Sequence, residues 1–193
     1  MDNWPDQRLV EGFIKGDAQC FDVLVRRYKD RIFSYIYYTL GNRSLAEDIF
    51  QDTCIKAIHS MLDTRYKDNG RFLSWMTRIA HNLIIDHYRR NRQVSLLSAD
   101  ACSVLLNNAA ELAERPVEEE LIHRQIRSDV RKMIDMLPVE QREIVLLRHY
   151  GNMTFKEIAE MTGISVNTAL GRMRYALINL RKYIHEHQII LTA

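Results

Sequence analysis

The sequence predicts an all-α protein of two small helical domains joined by a flexible linker, with a helix-turn-helix in the C-terminal domain. Apolar residues recur at three- and four-residue spacing along most of the 193-residue chain, and no strand-like alternation persists. Only 7 residues are glycine and 3 are proline, which suits helices. The helical pattern fades between the two halves, so we place the domains at residues 1–92 and 121–193, with the linker at 93–120.

A long helix near the N-terminus supplies the first core-facing stripe. Its apolar residues follow helical spacing and are expected to be buried: Phe21, Leu24, Val25, Tyr28, Ile32, Tyr35 and Ile36. Gly41-Asn42 then breaks the helix, because both residues favour turns. Ser44 and Glu47 have the spacing of a capping box, in which each side chain satisfies a free backbone N–H. A second helix is therefore predicted to begin there.

This second helix is predicted to carry an acidic outer face. The inward positions are Ile49, Phe50, Thr53, Ala57 and Ile58, and the outward positions are Glu47, Asp48, Gln51 and Asp52. The helix dipole favours acidic residues in a first turn, which would explain Glu47 and Asp48 without any partner. It does not explain Gln51 and Asp52 one turn later.

A polar loop, Asp63 to Gly70, leads into a helix with an apolar and a basic face. The apolar stripe consists of Phe72, Trp75, Met76, Ile79, Leu83 and Ile84. Trp75 is expected to be a core residue because it lies on this stripe. The remaining surface carries Arg78, Asn82, Asp86, Arg89 and Arg90. Basic side chains that neutralise phosphates, interleaved with Asn and aromatic groups, are typical of a helix that binds nucleic acid.

Periodicity is lost from about Asn91 to Glu120, and Pro116 argues against one continuous helix there. This stretch, acidic towards its end, is the predicted flexible linker. The first helix of the C-terminal domain is marked by Ile126, Val130, Met133, Ile134 and Leu137. Leu137-Pro138 ends that helix, and a packing helix follows with Ile144, Val145 and Leu147 inward.

The region from Thr154 to Ile184 has the pattern of a helix-turn-helix. Thr154 and Glu157 form a capping box, and Gly163 is the left-handed residue expected to end the first helix. That helix is expected to bury Ile158, Ala159 and Met161. Ser165 is a candidate N-cap of the second helix, whose predicted apolar face is Val166, Ala169, Leu170, Met173, Leu177, Leu180 and Ile184. Its other face carries Asn167, Thr168, Arg172, Arg174, Tyr175, Arg181 and Lys182.

A tight glycine turn between two closely crossing helices presents the second helix to a DNA major groove. An ordinary helical hairpin with a basic, solvated face remains the alternative. The net charge of +2 does not decide between them, but its distribution favours DNA. Basic residues gather at Arg71 to Arg92 and Arg172 to Lys182, and acidic residues at Asp48 to Asp52 and Glu111 to Glu120.

The sequence predicts no metal site, no cofactor and no catalytic activity. Cys20, Cys54 and Cys102 lie far apart, and none forms a Cys-x-x-Cys pair with matching histidines. Cys54 is expected to be buried in the core. The histidines and carboxylates are expected on helix surfaces without catalytic spacing. Isolated cysteines, with no signal peptide and no long apolar run, indicate a cytoplasmic protein without membrane insertion.

The order of these segments resembles the extracytoplasmic-function (ECF) group of bacterial RNA polymerase sigma factors. The resemblance is carried by Ala-Glu-Asp-x-x-Gln-Asp at residues 46–52, Phe-Leu-Ser-Trp-Met at 72–76, and Arg-Ile-Ala-His-Asn-Leu-Ile-Ile-Asp-His-Tyr-Arg-Arg at 78–90. Leu-Pro-x-x-Gln-Arg at 137–142 and the helix-turn-helix complete it. Each motif alone is modest in specificity, but their order and spacing together are specific, and they cover nearly the whole chain.

The resemblance assigns roles to particular residues. An acidic ridge, Asp48, Gln51 and Asp52, would dock on a coiled coil of the largest subunit of core RNA polymerase. The minus-10 promoter element would be bound by a loop that captures a flipped base (Lys67, Asp68, Asn69, Gly70) and a helix that reads and separates the strands (Arg78, Asn82, Asp86, Arg89, Arg90). The minus-35 element would be bound by Ser165, Asn167, Thr168, Arg172, Arg174 and Tyr175.

The resemblance implies an alternative sigma factor that directs promoter-specific transcription initiation and helps to melt promoter DNA. It also implies an anti-sigma protein as a partner, often membrane-linked in this family. The free chain would be a cytoplasmic monomer, nucleoid-associated when bound to polymerase. The alternative is a stand-alone helix-turn-helix regulator, against which the sequence shows no sensor pocket and no dimerising heptad.

The recognition helix departs from the commonest family pattern. Many relatives carry Val-Lys-Ser-Arg where this chain has Ala169-Leu170-Gly171-Arg172. Leu170 removes a candidate phosphate-binding lysine. Gly171 lowers helix propensity by about 1 kcal/mol relative to Ala but allows a closer backbone approach.

Overall fold

The computed structural model describes residues 1–63, 66, 70–97 and 130–186, which are largely helical and divide into two compact units. The N-terminal unit contains α1 (Asp6–Ile14), α2 (Ala18–Leu40), α3 (Arg43–Leu62) and α4 (Phe72–Leu97). The C-terminal unit contains α5, described at residues 130–135, then α6 (Val139–His149), α7 (Phe155–Thr162) and α8 (Val166–Glu186). The predicted all-α fold with two helical domains is confirmed.

The end of α4 differs from the expectation that helical structure fades at Asn91. The helix continues to Leu97. The residues from 91 to 97 contain no glycine or proline, so nothing in their backbone chemistry stops a helix that has already begun. The rest of the predicted linker, residues 98–120, lies outside the described residues.

The joint between α2 and α3 is made by two residues with different backbone preferences. Gly41 ends α2 in the left-handed conformation, at φ 69°, and its N–H donates to the Tyr37 oxygen at 2.8 Å. Asn42 begins α3, because its side-chain oxygen accepts from the Leu45 N–H at 3.0 Å. The predicted capping box at Ser44 and Glu47 is therefore wrong, since Ser44 lies inside the first turn.

The core of the N-terminal unit is shared by all four helices. Its largest fully buried side chains include Leu9, Leu24, Ile32, Tyr35, Ile36, Met61, Phe72, Met76 and Ile84. Most of the predicted α2 and α4 stripes are therefore buried as expected. Cys54 is only partly buried, which corrects the expectation of a core cysteine, whereas Cys20 is buried against α1.

The Leu-Pro-x-x-Gln-Arg segment holds three helices of the C-terminal unit together. Leu137 is buried, and Pro138 directly precedes α6. Gln141 accepts a hydrogen bond from Asn179 Nδ2 on α8 at 2.8 Å. Arg142 donates to backbone oxygens at the end of α5, including Ile134 at 3.1 Å. The motif therefore supplies caps and cross-links between helices.

Arg142→Ala should lower the free energy of unfolding of the C-terminal unit by about 2 kcal/mol, because the carbonyls that end α5 lose their charged donor. Hydrogen exchange followed by mass spectrometry reports on each unit separately. We expect faster exchange in α6 to α8 and unchanged exchange in α1 to α4. Arg174→Ala, at an exposed position of α8, is the control. Equal protection in the two variants would contradict the capping role.

The helix-turn-helix consists of α7, a short turn and α8. Thr154 Oγ1 accepts from the Glu157 N–H, and Glu157 Oε2 accepts from the Thr154 N–H at 2.7 Å, which confirms the predicted capping box. Gly163 ends α7 in the left-handed conformation, at φ 70°, as predicted. Ala159, Ala169 and Ala176 are the buried residues where α8 packs. Small side chains let these helices approach closely.

Candidate nucleic-acid interface

The acidic ridge lies on the exposed face of α3. Asp48, Gln51 and Asp52 are all exposed, and the opposite face buries Ile49, Thr53 and Ala57. Because α3 begins at Arg43, neither Glu47 nor Asp48 is in its first turn. The dipole explanation for these two acids is therefore wrong. Glu47 forms an ion pair with Arg43, one turn earlier, with 3.0 Å between Nε and Oε1.

Two exposed apolar residues extend this face of α3, and sequence reasoning missed them. Ile55 is 54% exposed and Leu62 is 57% exposed. Positions 48, 52, 55, 59 and 62 alternate four- and three-residue steps, so they form one stripe along the helix. The stripe is acidic at its start and carries large apolar side chains further along. The spacing of these positions was visible in the sequence, but only the structure shows that the Ile55 side chain is exposed.

A polar face of α4 carries the residues predicted for the minus-10 element. Asn82, Arg89 and Arg90 are exposed, whereas Arg78 and Asp86 are partly buried. Arg90 Nε donates to the Asp86 backbone oxygen at 3.4 Å. Positions 78, 82, 86 and 89 follow helical spacing, so four of the five predicted residues share one face. Of the loop predicted to capture a base, Lys67, Asp68 and Asn69 lie outside the described residues, and Gly70 is exposed with φ 72°.

An aromatic cluster fixes the start of α4 beside that loop. The Trp75 ring centroid lies 4.2 Å from that of Tyr66 and 5.7 Å from that of Phe72. Tyr66 and Phe72 are buried, whereas Trp75 is partly exposed. Trp75 therefore packs against core residues as expected, although it is partly exposed.

His81 corrects the expectation that the histidines lie on helix surfaces. It is buried on α4, and its Nδ1 lies 2.9 Å from the Tyr35 hydroxyl on α2. Burial lowers the pKa of His81 below its ordinary value of 6.5. The next residue, Asn82, is exposed, so this buried pair positions the polar face of α4.

The N-terminal unit should lose stability as the pH falls below about 6.5, because the folded state keeps His81 neutral while the unfolded chain binds a proton. His81→Gln should remove that part of the pH dependence. Urea unfolding near about pH 7.5 and about pH 5.5 measures it. Fluorescence is a suitable signal, since Trp4 and Trp75 both lie in this unit. His59→Gln, which changes an exposed histidine, should keep the wild-type dependence; identical profiles for wild type and His81→Gln would refute the assignment.

The N-terminus of α8 presents exposed polar residues. Ser165 Oγ accepts from the Thr168 N–H at 3.0 Å and lies 2.8 Å from the Thr168 hydroxyl, which confirms Ser165 as the N-cap. Asn167, Thr168, Arg174 and Tyr175 are exposed. The structure therefore places these predicted residues on the outer surface of α8, with the Ser165 and Thr168 hydroxyls bonded to each other.

Arg172 lies on a different side of α8. Its side chain is partly buried. Burial raises the pKa of the Glu143 carboxyl on α6, and the Arg172 guanidinium opposes that shift. Partial burial therefore separates Arg172 from the exposed Asn167 and Arg174.

The predicted apolar face of α8 is partly wrong. Ala169 is buried, and Met173, Leu180 and Ile184 are partly buried, as expected. Val166, Leu170 and Leu177 are instead 41%, 44% and 47% exposed, and Ala176 takes the buried position. The close crossing of the helices selects small residues, so the larger ones at the edge of the stripe reach the surface.

Among the described residues, no cluster of His, Cys, Asp or Glu has the arrangement of a metal site. None of the helices in the same part of the chain is both long and apolar enough to span a membrane.

Comparison with known proteins identifies the family. Residues 24–94 match sigma-70 region 2, and residues 127–176 match sigma-70 region 4. The chain is 30% identical to the ECF RNA polymerase sigma factor SigW of Bacillus subtilis over 183 residues, covering 93% of this chain and 97% of that protein. The chain belongs to the ECF sigma factors. It is therefore an alternative sigma factor, a protein that directs transcription initiation.

Two solved structures support the fold of this sigma factor. The sigma factor RpoE from Bartonella quintana, in complex with the anti-sigma factor NepR, gives a TM-score of 0.65 at 19% identity, covering 86% of this chain and 96% of that one. CnrH, in complex with the cytosolic domain of CnrY, gives 0.64 at 21% identity, covering 95% and 99%.

Proposed function

We propose that this sigma factor directs core RNA polymerase to a subset of promoters through three surfaces. The acidic ridge of α3 binds polymerase, the polar face of α4 with the loop from Lys67 to Gly70 binds the minus-10 element, and the N-terminal turns of α8 bind the minus-35 element. One observation carries the proposal: α3, α4 and α8 each expose predicted site residues on one face while the opposite face is buried in its own unit.

The acidic ridge fits a basic helical partner. Asp48 and Asp52 are one turn apart, so their carboxylates can face the same basic patch and steer its approach. Ile55 and Leu62 add exposed apolar contact area along the same stripe. Association of two helical surfaces needs such a combination, because charge sets orientation while buried apolar area supplies affinity.

The polar face of α4 fits separated promoter strands. Arg89 and Arg90 can neutralise phosphates, and Asn82 can donate to and accept from the edge of an extruded base. Strand separation at this element needs no ATP in the proposal, because contacts to extruded bases offset the few kcal/mol lost per unstacked step. Arg78 and Asp86, which are partly buried, would support this face from its edge.

The N-terminus of α8 fits the major groove of the minus-35 element. In a helix-turn-helix the N-terminal residues of the second helix contact base edges. Asn167 is exposed in the first turn, and Arg174 and Tyr175 are exposed in the third. The helix dipole favours phosphates near the N-terminus. Arg172 is assigned a supporting role in this proposal, because it is partly buried.

Regulation and location follow from the family in this proposal. An anti-sigma protein, membrane-linked or soluble, would hold the chain inactive until a signal releases it. The free chain would be a cytoplasmic monomer and would join the nucleoid when bound to polymerase.

The proposal is tested by run-off transcription with core RNA polymerase on a library of genomic promoter fragments from the source organism. We expect start sites that require this protein and share upstream elements. Absence of such transcripts, together with tight binding of the protein alone to duplex DNA, would favour a stand-alone helix-turn-helix regulator and overturn the proposal.

A further inference from the structure

The first two turns of α8 carry an apolar row, Val166 and Leu170, beside a second row, Asn167 and Gly171. Val166 and Leu170 are one turn apart and are 41% and 44% exposed. Asn167 is exposed beside them, and Gly171 follows it by one turn. A Cβ built on Gly171 would meet no heavy atom within 4 Å, so the space in front of it is open. Residues four apart are neighbours on a helix, and the two rows therefore run in parallel.

The polar groups available for reading bases in these turns are few. The Ser165 and Thr168 hydroxyls lie 2.8 Å apart and bond to each other. Arg172 is partly buried on another side of the helix, where its charge opposes the burial-driven rise in the pKa of the Glu143 carboxyl. Asn167 in these turns, and Arg174 and Tyr175 in the third turn, are the remaining exposed polar residues, and Leu170 lies between Asn167 and Arg174 on the surface. A reading surface with so large an apolar side chain at its centre needs an apolar group on the DNA.

We propose that Leu170, assisted by Val166, reads thymine through its C5-methyl group in the major groove of the upstream promoter element. The inference rests on the proposed role of α8 at that element and names what it recognises. Thymine is the base that presents a methyl group in the major groove, and asparagine pairs with the N6 and N7 edge of adenine. Asn167, with the open space at Gly171 beside it, can accept such an edge. The element read by α8 therefore contains A·T pairs contacted at both kinds of group.

The test replaces each thymine of the mapped upstream element, one at a time, with deoxyuridine, which lacks the methyl group. Binding of the holoenzyme to each duplex is compared with binding to the unmodified duplex. At one or more positions, the loss of one buried methyl should weaken binding by about fourfold. Leu170→Ala should weaken binding to the thymine duplex by a similar factor and abolish the difference between thymine and uracil at that position.

Leu177→Ala is the matched control, because Leu177 is equally exposed on α8 but lies beyond the N-terminal turns. It should retain the full sensitivity to uracil. Leu170→Met, which keeps an apolar side chain, should retain it in part and guards against a folding defect. An element without thymine, uracil substitutions that change nothing, or undiminished uracil sensitivity in Leu170→Ala would overturn the proposal.

The two proposals fail in different ways. If no promoter-specific transcript is found in the first place, the proposed function fails, and this inference fails with it. If promoters are mapped and bound but Leu170 shows no coupling to any thymine methyl, the proposed function stands and this inference is refuted. A loss of polymerase binding in Leu170→Ala would instead assign the apolar row to a protein partner and would also refute it.

Discussion

Asp48→Arg combined with Asp52→Arg should reduce the affinity for core RNA polymerase by about 100-fold or more. The double change places two positive charges against a basic partner, and repulsion of that kind costs several kcal/mol. The fold should be unaffected, since both side chains are exposed and no described hydrogen bond or ion pair depends on either. Competition with a fluorescently labelled sigma factor for core polymerase measures the affinity.

The control for this change is Asp22→Arg with Asp30→Arg, which makes the same change of charge at exposed positions of α2. It should bind polymerase almost as the wild type does. Retained binding by the ridge variant would contradict the docking assignment. An equal loss in both variants would indicate an effect of net charge alone.

Asn82→Ala combined with Arg89→Ala should reduce open-complex formation by about 100-fold, because each contact to a base or phosphate contributes about 1–3 kcal/mol. Polymerase binding should persist, since the acidic ridge is unchanged. Permanganate reactivity of unpaired thymines measures opening. A template with a preformed bubble at the minus-10 element should restore transcription, because melting is then no longer required.

Gln19→Ala with Arg26→Ala removes one amide and one guanidinium from exposed positions of α2 and serves as the matched control. It should open promoters normally. If the bubble template fails to rescue the α4 variant, Asn82 and Arg89 act in a step other than strand separation. If opening is normal in the Asn82 and Arg89 variant, the assignment of these residues to the minus-10 element is wrong.

Helix ends were predictable where the chemistry is local. The Thr154 and Glu157 capping box, the left-handed Gly163 and the Ser165 N-cap each involve residues within a few positions of one another. The same reasoning failed at α3, where Asn42 and Ser44 are competing caps two residues apart. The left-handed Gly41 favours Asn42 as the N-cap of α3, because Asn42 directly follows the residue that ends α2.

Contacts between distant segments were not predictable. Asn179 donates to Gln141 across 38 residues, and Tyr35 meets His81 across 46 residues. Sequence periodicity also predicts a wider apolar face than the one that is buried. It grouped Leu170 with Ala169 on α8, yet the close crossing of the helices buries only Ala169. The exposure of the acidic ridge was predicted correctly, because the exposure of charged residues follows from the sequence pattern. The exposure of Ile55 depends instead on where α2 and α4 leave α3 uncovered.

The buried and the exposed residues of α8 are different residues, and this has a consequence for how promoter specificity would change. Ala169 and Ala176 are the buried residues of α8, while Val166, Asn167, Leu170 and Arg174 are exposed. Under the proposed role of α8, a substitution at an outward position would alter what is read with little effect on folding. Recognition would then diverge by single surface changes, one base contact at a time, without a compensating change in the core. For engineering, these four positions form a set that can be randomised on an intact scaffold to obtain sigma factors with separate promoter sets.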